Sequence, residues 1–166
     1  MSHRFSLRRT AVSAVLAASL LASLVPSMAG AATPRAGYYS GATSQTITPT
    51  DPAEPAQAGS VDFKVMKYSS QGRTHRKFLK VGATTQLTCP SGEVKQDYFS
   101  VYIIMGGKID GLGRFKYSYK GFSFKGRFTS KTSAKGTLSR TVGDCTAQGV
   151  TWTAKKTSGG IPLPTS

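Results

Sequence analysis

Beyond Ser60 the chain alternates between apolar and polar residues, and it keeps that period of two almost to its end. In "SVDFKV" the side chains of Val61, Phe63 and Val65 share one face while Asp62 and Lys64 share the other, as in a half-buried strand. The same pattern predicts strands at "RKFLKV" (76–81), "TTQLTC" (84–89), "DYFSVYII" (97–104), "GRFKYSYK" (113–120), "GFSFKGRF" (121–128), "KGTLSRTV" (135–142) and "GVTWTAKK" (149–156). Turn residues punctuate them at Pro90-Ser91-Gly92, Gly106-Gly107, Asp110-Gly111 and Gly143-Asp144, with a weaker signal at Ser69-Ser70-Gln71-Gly72. Eight or nine short strands so separated predict an all-β protein, built as a single antiparallel β-sandwich, jelly-roll-like or barrel domain.

The chain before Ser60 follows other rules. Residues 1–31 carry a basic start (Arg4, Arg8, Arg9), an apolar run from Ala11 to Val25 and small residues at Ala29-Gly30-Ala31, the layout of a secretory signal peptide. The apolar run, about fifteen residues, falls short of the roughly 20 that span a bilayer, so cleavage and export are expected, with no membrane span afterwards. Residues 32–45 hold a strand candidate, "AGYYSGA" (36–42). The Pro- and Ala-rich stretch 46–59, "TITPTDPAEPAQAG", has no apolar face to bury and reads as a surface loop or short linker. The main β domain is then 60–156, and 157–166 is read as a flexible tail.

Charge sharpens the picture. Losing Arg4, Arg8 and Arg9 with the leader leaves 19 of the 22 basic residues against 7 acidic ones, a net charge of +12. Such an excess favours acidic partners: an anionic cell-wall polymer or polysaccharide, or nucleic acid bound non-specifically through its backbone. Lys116, Lys120, Lys125 and Arg127 are the candidate polyanion-binding residues, because they alternate with Phe115, Tyr117, Tyr119, Phe122, Phe124 and Phe128. The period of two sends those aromatics into the core and gathers the cations on the outer face.

Cys89 and Cys145 are the only cysteines, and an even number in an exported chain implies a disulfide. Closing that loop of about 57 residues stabilises the fold by about 4 kcal/mol in the chain-entropy model. Trp152 alternates with Thr151 and Thr153, so it is expected to point inward, near the bridge.

Catalytic constellations are thin. His75, the only histidine past the leader, sits in the basic run "RTHRK" with no acid nearby in sequence to orient it, and is read as a solvated loop histidine. Glycoside hydrolysis needs two carboxylates across a cleft, for which Glu93 and Asp97 are the candidates; Asp110 and Asp144 lie in glycine turns where Asp is common anyway. No cofactor or metal site is expected, since paired cysteines leave too few ligands for zinc and no dense run of carboxylates offers a calcium loop.

The segments "GYYSGATSQ" (37–45), "VDFKV", "LTCPSG", "GRFTSKTSAKGTL" (126–138) and "CTAQGVTWTAKK" (145–156), in this order, resemble small secreted all-β proteins of actinobacteria, a group without an assigned function. The resemblance implies one antiparallel β domain with its two cysteines paired and supplies no catalytic residue. The Pro- and Ala-rich stretch departs from that pattern, in which the GYYSGATSQ-like segment runs almost directly into the next strand. The expected function is thus a secreted, non-enzymatic protein that binds anionic or carbohydrate polymers of the envelope. An envelope-polymer hydrolase using carboxylates, or a secreted inhibitor or host-interaction protein, are the alternatives.

Overall fold

The computed structural model describes residues 32–49, 51–103 and 107–158; the signal peptide read over 1–31 lies outside these residues, and of the tail read over 157–166 only Thr157, which ends the last strand, and Ser158 lie within them. Nine strands form among the described residues: β1 (Gly37–Ile47), β2 (Gln57–Ser70), β3 (Arg73–Thr88), β4 (Val94–Tyr102), β5 (Lys108–Ile109), β6 (Arg114–Tyr119), β7 (Phe122–Phe128), β8 (Ser133–Val142) and β9 (Cys145–Thr157). All pairings are antiparallel, so the expectation of an all-β domain holds. The ladder runs β2-β1-β9-β8-β7-β6-β5-β3, and β3 pairs again with β2. The sheet therefore closes on itself around one core, and β4 adds to the outer half of β3.

Several element boundaries differ from the sequence reading, each for a physical reason. The two strands expected at 76–81 and 84–89 are one, β3, which runs through Gly82. That glycine is not a break but a close approach: a Cβ there would lie 2.9 Å from Oδ1 of Asp62 on the neighbouring strand. Thr46 and Ile47 belong to β1 and pair with Ala58 and Gln57 of β2, so the Pro- and Ala-rich stretch is mostly a hairpin loop. Asp51 shapes that loop, its Oδ1 accepting from the Ala53 N–H at 2.9 Å. His75 lies within β3 rather than in a loop, and its exposed ring stacks on Tyr68 of β2 at 5.2 Å.

Tight turns set the registers. Gln71-Gly72 joins β2 to β3, and Lys120-Gly121 joins β6 to β7, with both residues of each pair at positive φ (50° and 71°; 41° and 71°). This is the primed two-residue geometry whose twist matches paired strands.

Inside the closed sheet the aromatics interlock. Phe63 meets Tyr39, Phe78, Phe124 and Trp152 with ring centroids 5.1–5.7 Å apart. Phe115, Phe122, Phe124 and Phe128 are buried as expected, whereas Tyr117 is half-buried and Tyr119 is exposed. Tyr39 directs its hydroxyl to the carbonyls of Arg35 (2.8 Å) and Lys131 (3.1 Å), and burial pushes its pKa up to about 12. Cys89 and Cys145 form the disulfide, joining the ends of β3 and β9 beside the Thr88–Thr146 pair across a sequence separation of 56. Trp152 is buried but lies seven residues along β9 from Cys145, about 23 Å of strand, so it packs in the aromatic core and not at the bridge.

Candidate polyanion-binding face

Alternation along β6, β7 and β8 turns Arg114, Lys116, Lys125, Arg127 and Lys135 outward, and the Lys120-Gly121 turn fixes how they meet. Lys116 stands directly opposite Lys125, Arg114 opposite Arg127, and Arg127 in turn opposite Lys135. Two rows of outward side chains result. One runs Arg114, Arg127, Lys135, Thr153, Ala42; the other runs Lys116, Lys125, Thr137, Thr151.

These rows bound an open concavity of about 820 Å³ that all five cations line. Its floor is thin. Gly126 and Gly136 face each other across β7 and β8, and Trp152 presses on them from inside: a Cβ at either position would come within 2.8 Å of the indole Cζ2. Phe115 lies beneath the same floor, so the outer face has an apolar base between its charged rows.

Like charges opposed across a sheet destabilise it by several tenths of a kcal/mol per pair, unless something compensates them. Only Arg114 has a carboxylate: its Nε lies 2.9 Å from Oδ2 of Asp110. Asp110 also accepts from the N–H groups of Leu112 and Arg114, and the Arg114 N–H above all holds its carboxyl below the usual range. Lys116, Lys125, Arg127 and Lys135 form no ion pair among the described residues.

Of the four cations proposed from sequence, Lys116, Lys125 and Arg127 come together on this face. Lys120 does not, because it occupies the β6–β7 turn with its ammonium over the Tyr119 ring at 5.4 Å. Arg114 and Lys135 were missed, although their positions in the alternation match those of Lys116 and Lys125.

Other candidates lie elsewhere. Glu93 pairs with Lys95 at 3.1 Å, and Asp97 reaches Arg140 of β8 at 2.8 Å, so each carboxylate faces a cation of its own. The Arg140 guanidinium in turn covers the Phe99 ring at 5.0 Å. Cys89, Asp144 and Cys145 cluster within 4.8 Å, but both sulfurs are spent in the disulfide. Asp62 points outward from β2 yet is only 7% exposed, and its Oδ2 has no hydrogen-bond partner among the described residues. No helix among the described residues is long and apolar enough to cross a membrane. Comparison with protein-family models, with curated proteins and with solved structures finds no match.

Proposed function

We propose that this is a secreted, non-enzymatic β protein that binds anionic polymers of the cell envelope through the outer face of β6, β7 and β8. The observation that carries the reading is the pair of cross-strand rows that oppose cation to cation on a concave surface, four of the five without a carboxylate. Repulsion of this kind weakens the fold and is relieved when an anion enters. The buried disulfide suits an oxidising, extracellular setting. The net positive charge of the whole chain draws acidic polymers toward the face from a distance.

The test is co-sedimentation of the purified protein with washed Gram-positive cell walls, before and after teichoic acid extraction, over a salt series. Binding is expected to fall with extraction and with salt, with a log–log slope of about −3.5 for five cations on a single-stranded polyanion. A variant carrying Lys116→Gln, Lys125→Gln, Arg127→Gln and Lys135→Gln is expected to lose binding while keeping its melting transition. Unchanged binding by that folded variant would remove this face from the proposal.

A further inference from the structure

The cationic rows run on into hydroxyls. Beyond Arg127 and Lys135 the first row continues to Thr153, and beyond Lys125 the second continues to Thr137 and Thr151. The side-chain hydroxyls of these three threonines make no hydrogen bond among the described residues, and Ser44 stands beside them, its Oγ accepting from the Thr151 N–H at 3.1 Å. All four line the same concavity as the cations.

The groove also extends past the cations. A smaller concavity of about 350 Å³ adjoins it, sharing Ala42, Lys135 and Thr153, and carries the surface on to Lys155 and Ser40. The combined track crosses β6, β7, β8, β9 and β1, four strand spacings or roughly 19 Å. Across the strands the surface goes from dense positive charge to free hydroxyls, and Lys155 flanks those hydroxyls two residues along β9 from Thr153.

No stacking platform accompanies that track. Phe115 and Trp152 lie under the floor, so bases of a single-stranded nucleic acid would find no exposed ring there.

Resting on the reading of this face as a polyanion site, we infer that its ligand is a phosphodiester polymer of polyol units, lying across the strands. Its phosphates sit against the Arg114, Lys116, Lys125, Arg127 and Lys135 cluster, and its hydroxyls exchange hydrogen bonds with Thr137, Thr151 and Thr153. A hydroxyl can both donate and accept, so a threonine row discriminates a polyol-bearing chain from a polymer of charge alone. Charge attracts the polymer, and the hydroxyl half of the track selects it.

Titration of the purified protein with poly(glycerol phosphate), inorganic polyphosphate and oligo(dT), matched in number of charges and at one low salt concentration, tests this. Poly(glycerol phosphate) is expected to bind at least about tenfold more tightly than the other two. The Thr151→Val/Thr153→Val variant keeps strand propensity and shape and so should stay folded. It is expected to bind poly(glycerol phosphate) about fivefold more weakly and polyphosphate unchanged. Equal affinity for all three probes, or equal loss for all three in the variant, would overturn the polyol inference while leaving the cationic face intact. Failure of every probe to bind would remove the face itself.

Discussion

The side-chain amide of Gln45 bonds the backbone of Gln86 in both directions, donating to its carbonyl at 2.8 Å and accepting from its N–H at 3.1 Å. These are the two bonds that a neighbouring strand would make. β3 leaves β2 after the Val61–Ala83 pair and meets β9 only at Thr88, and Gln45 fills the interval between. Gln45 thus supplies the strand-like bonds of this seam, between the Ser60–Thr84 hydroxyl contact at 3.1 Å on one side and the Cys89–Cys145 bridge on the other.

Replacing Gln45 by Ala is therefore expected to destabilise the protein by about 1–3 kcal/mol, measured by denaturant unfolding, because both backbone groups of Gln86 lose their partner. Gln45→Glu gives a sharper reading. An ionised carboxylate accepts but cannot donate, so the variant should be weaker than wild type at neutral pH and recover part of the loss in acid, where the protonated carboxyl donates again. Equal stability of all three proteins at pH 7 would mean that the seam is held by something else.

Gly126 and Gly136 are expected to be intolerant of alanine. A methyl group at either position meets a backbone carbonyl across the β7–β8 pair, of Lys135 for Gly126 and of Lys125 for Gly136, and also the Trp152 indole, which packs against Phe63 and Phe124. Overpacking of this kind costs about 1–3 kcal/mol. The chain has a single tryptophan, so its fluorescence reports the displacement directly: Gly126→Ala and Gly136→Ala should shift the emission, and an unshifted spectrum with unchanged stability would contradict the packing described.

Asp62 predicts a particular pH dependence. Burial raises its carboxyl above the ordinary value of 3.8, with Lys80 opposing the shift. A folded-state pKa above the unfolded one means that the native state holds the proton more tightly. The contribution to stability is then fully present below the unfolded pKa and lost as pH rises through the folded one. The wild type should therefore gain stability relative to Asp62→Asn as the pH falls from neutrality through the raised folded-state value, with the gain complete below about 4, against the background of the other carboxylates. A difference between the two proteins that is flat from pH 7 to pH 3 would show that Asp62 titrates normally.

Much of this fold was legible because a period of two survives in almost every strand; the buried faces of β7 and β9 follow directly from it, whereas on β6 only Phe115 is buried and Tyr119, near the turn, is exposed. What alternation cannot supply is register. Which cation faces which on β6 and β7 depends on the backbone of the Lys120-Gly121 turn, which takes Lys120 itself away from Lys116, Lys125 and Arg127, whereas Arg114 and Lys135 keep the alternation and were legible from it. Gly82 falls in the gap between the strands read at 76–81 and 84–89, whereas its role depends on Asp62, twenty residues away in sequence. β5 has only two residues, too few for any period to show. The Gln45–Gln86 contact joins residues 41 apart through side-chain chemistry that no local pattern encodes.

The face of β6, β7 and β8 leads to a prediction that separates a binding surface from an incidental cluster of charge. Arg127 lies between Arg114 on one neighbouring strand and Lys135 on the other, so it feels two like charges at cross-strand distance. Changing it to Gln keeps a long polar side chain and removes both repulsions. In the free protein at low salt Arg127→Gln should therefore be slightly more stable than wild type, by about 0.5 kcal/mol, and added salt should erase the difference as it screens the exposed charges. Binding of an anionic polymer should move the opposite way, weakening in the same variant. A residue held for folding would lose stability when replaced; a residue held for an anion gains stability and loses affinity. Unfolding curves at two salt concentrations, with and without poly(glycerol phosphate), decide between them. A variant less stable than wild type at low salt, with polymer affinity intact, would assign Arg127 to the fold and not to the ligand.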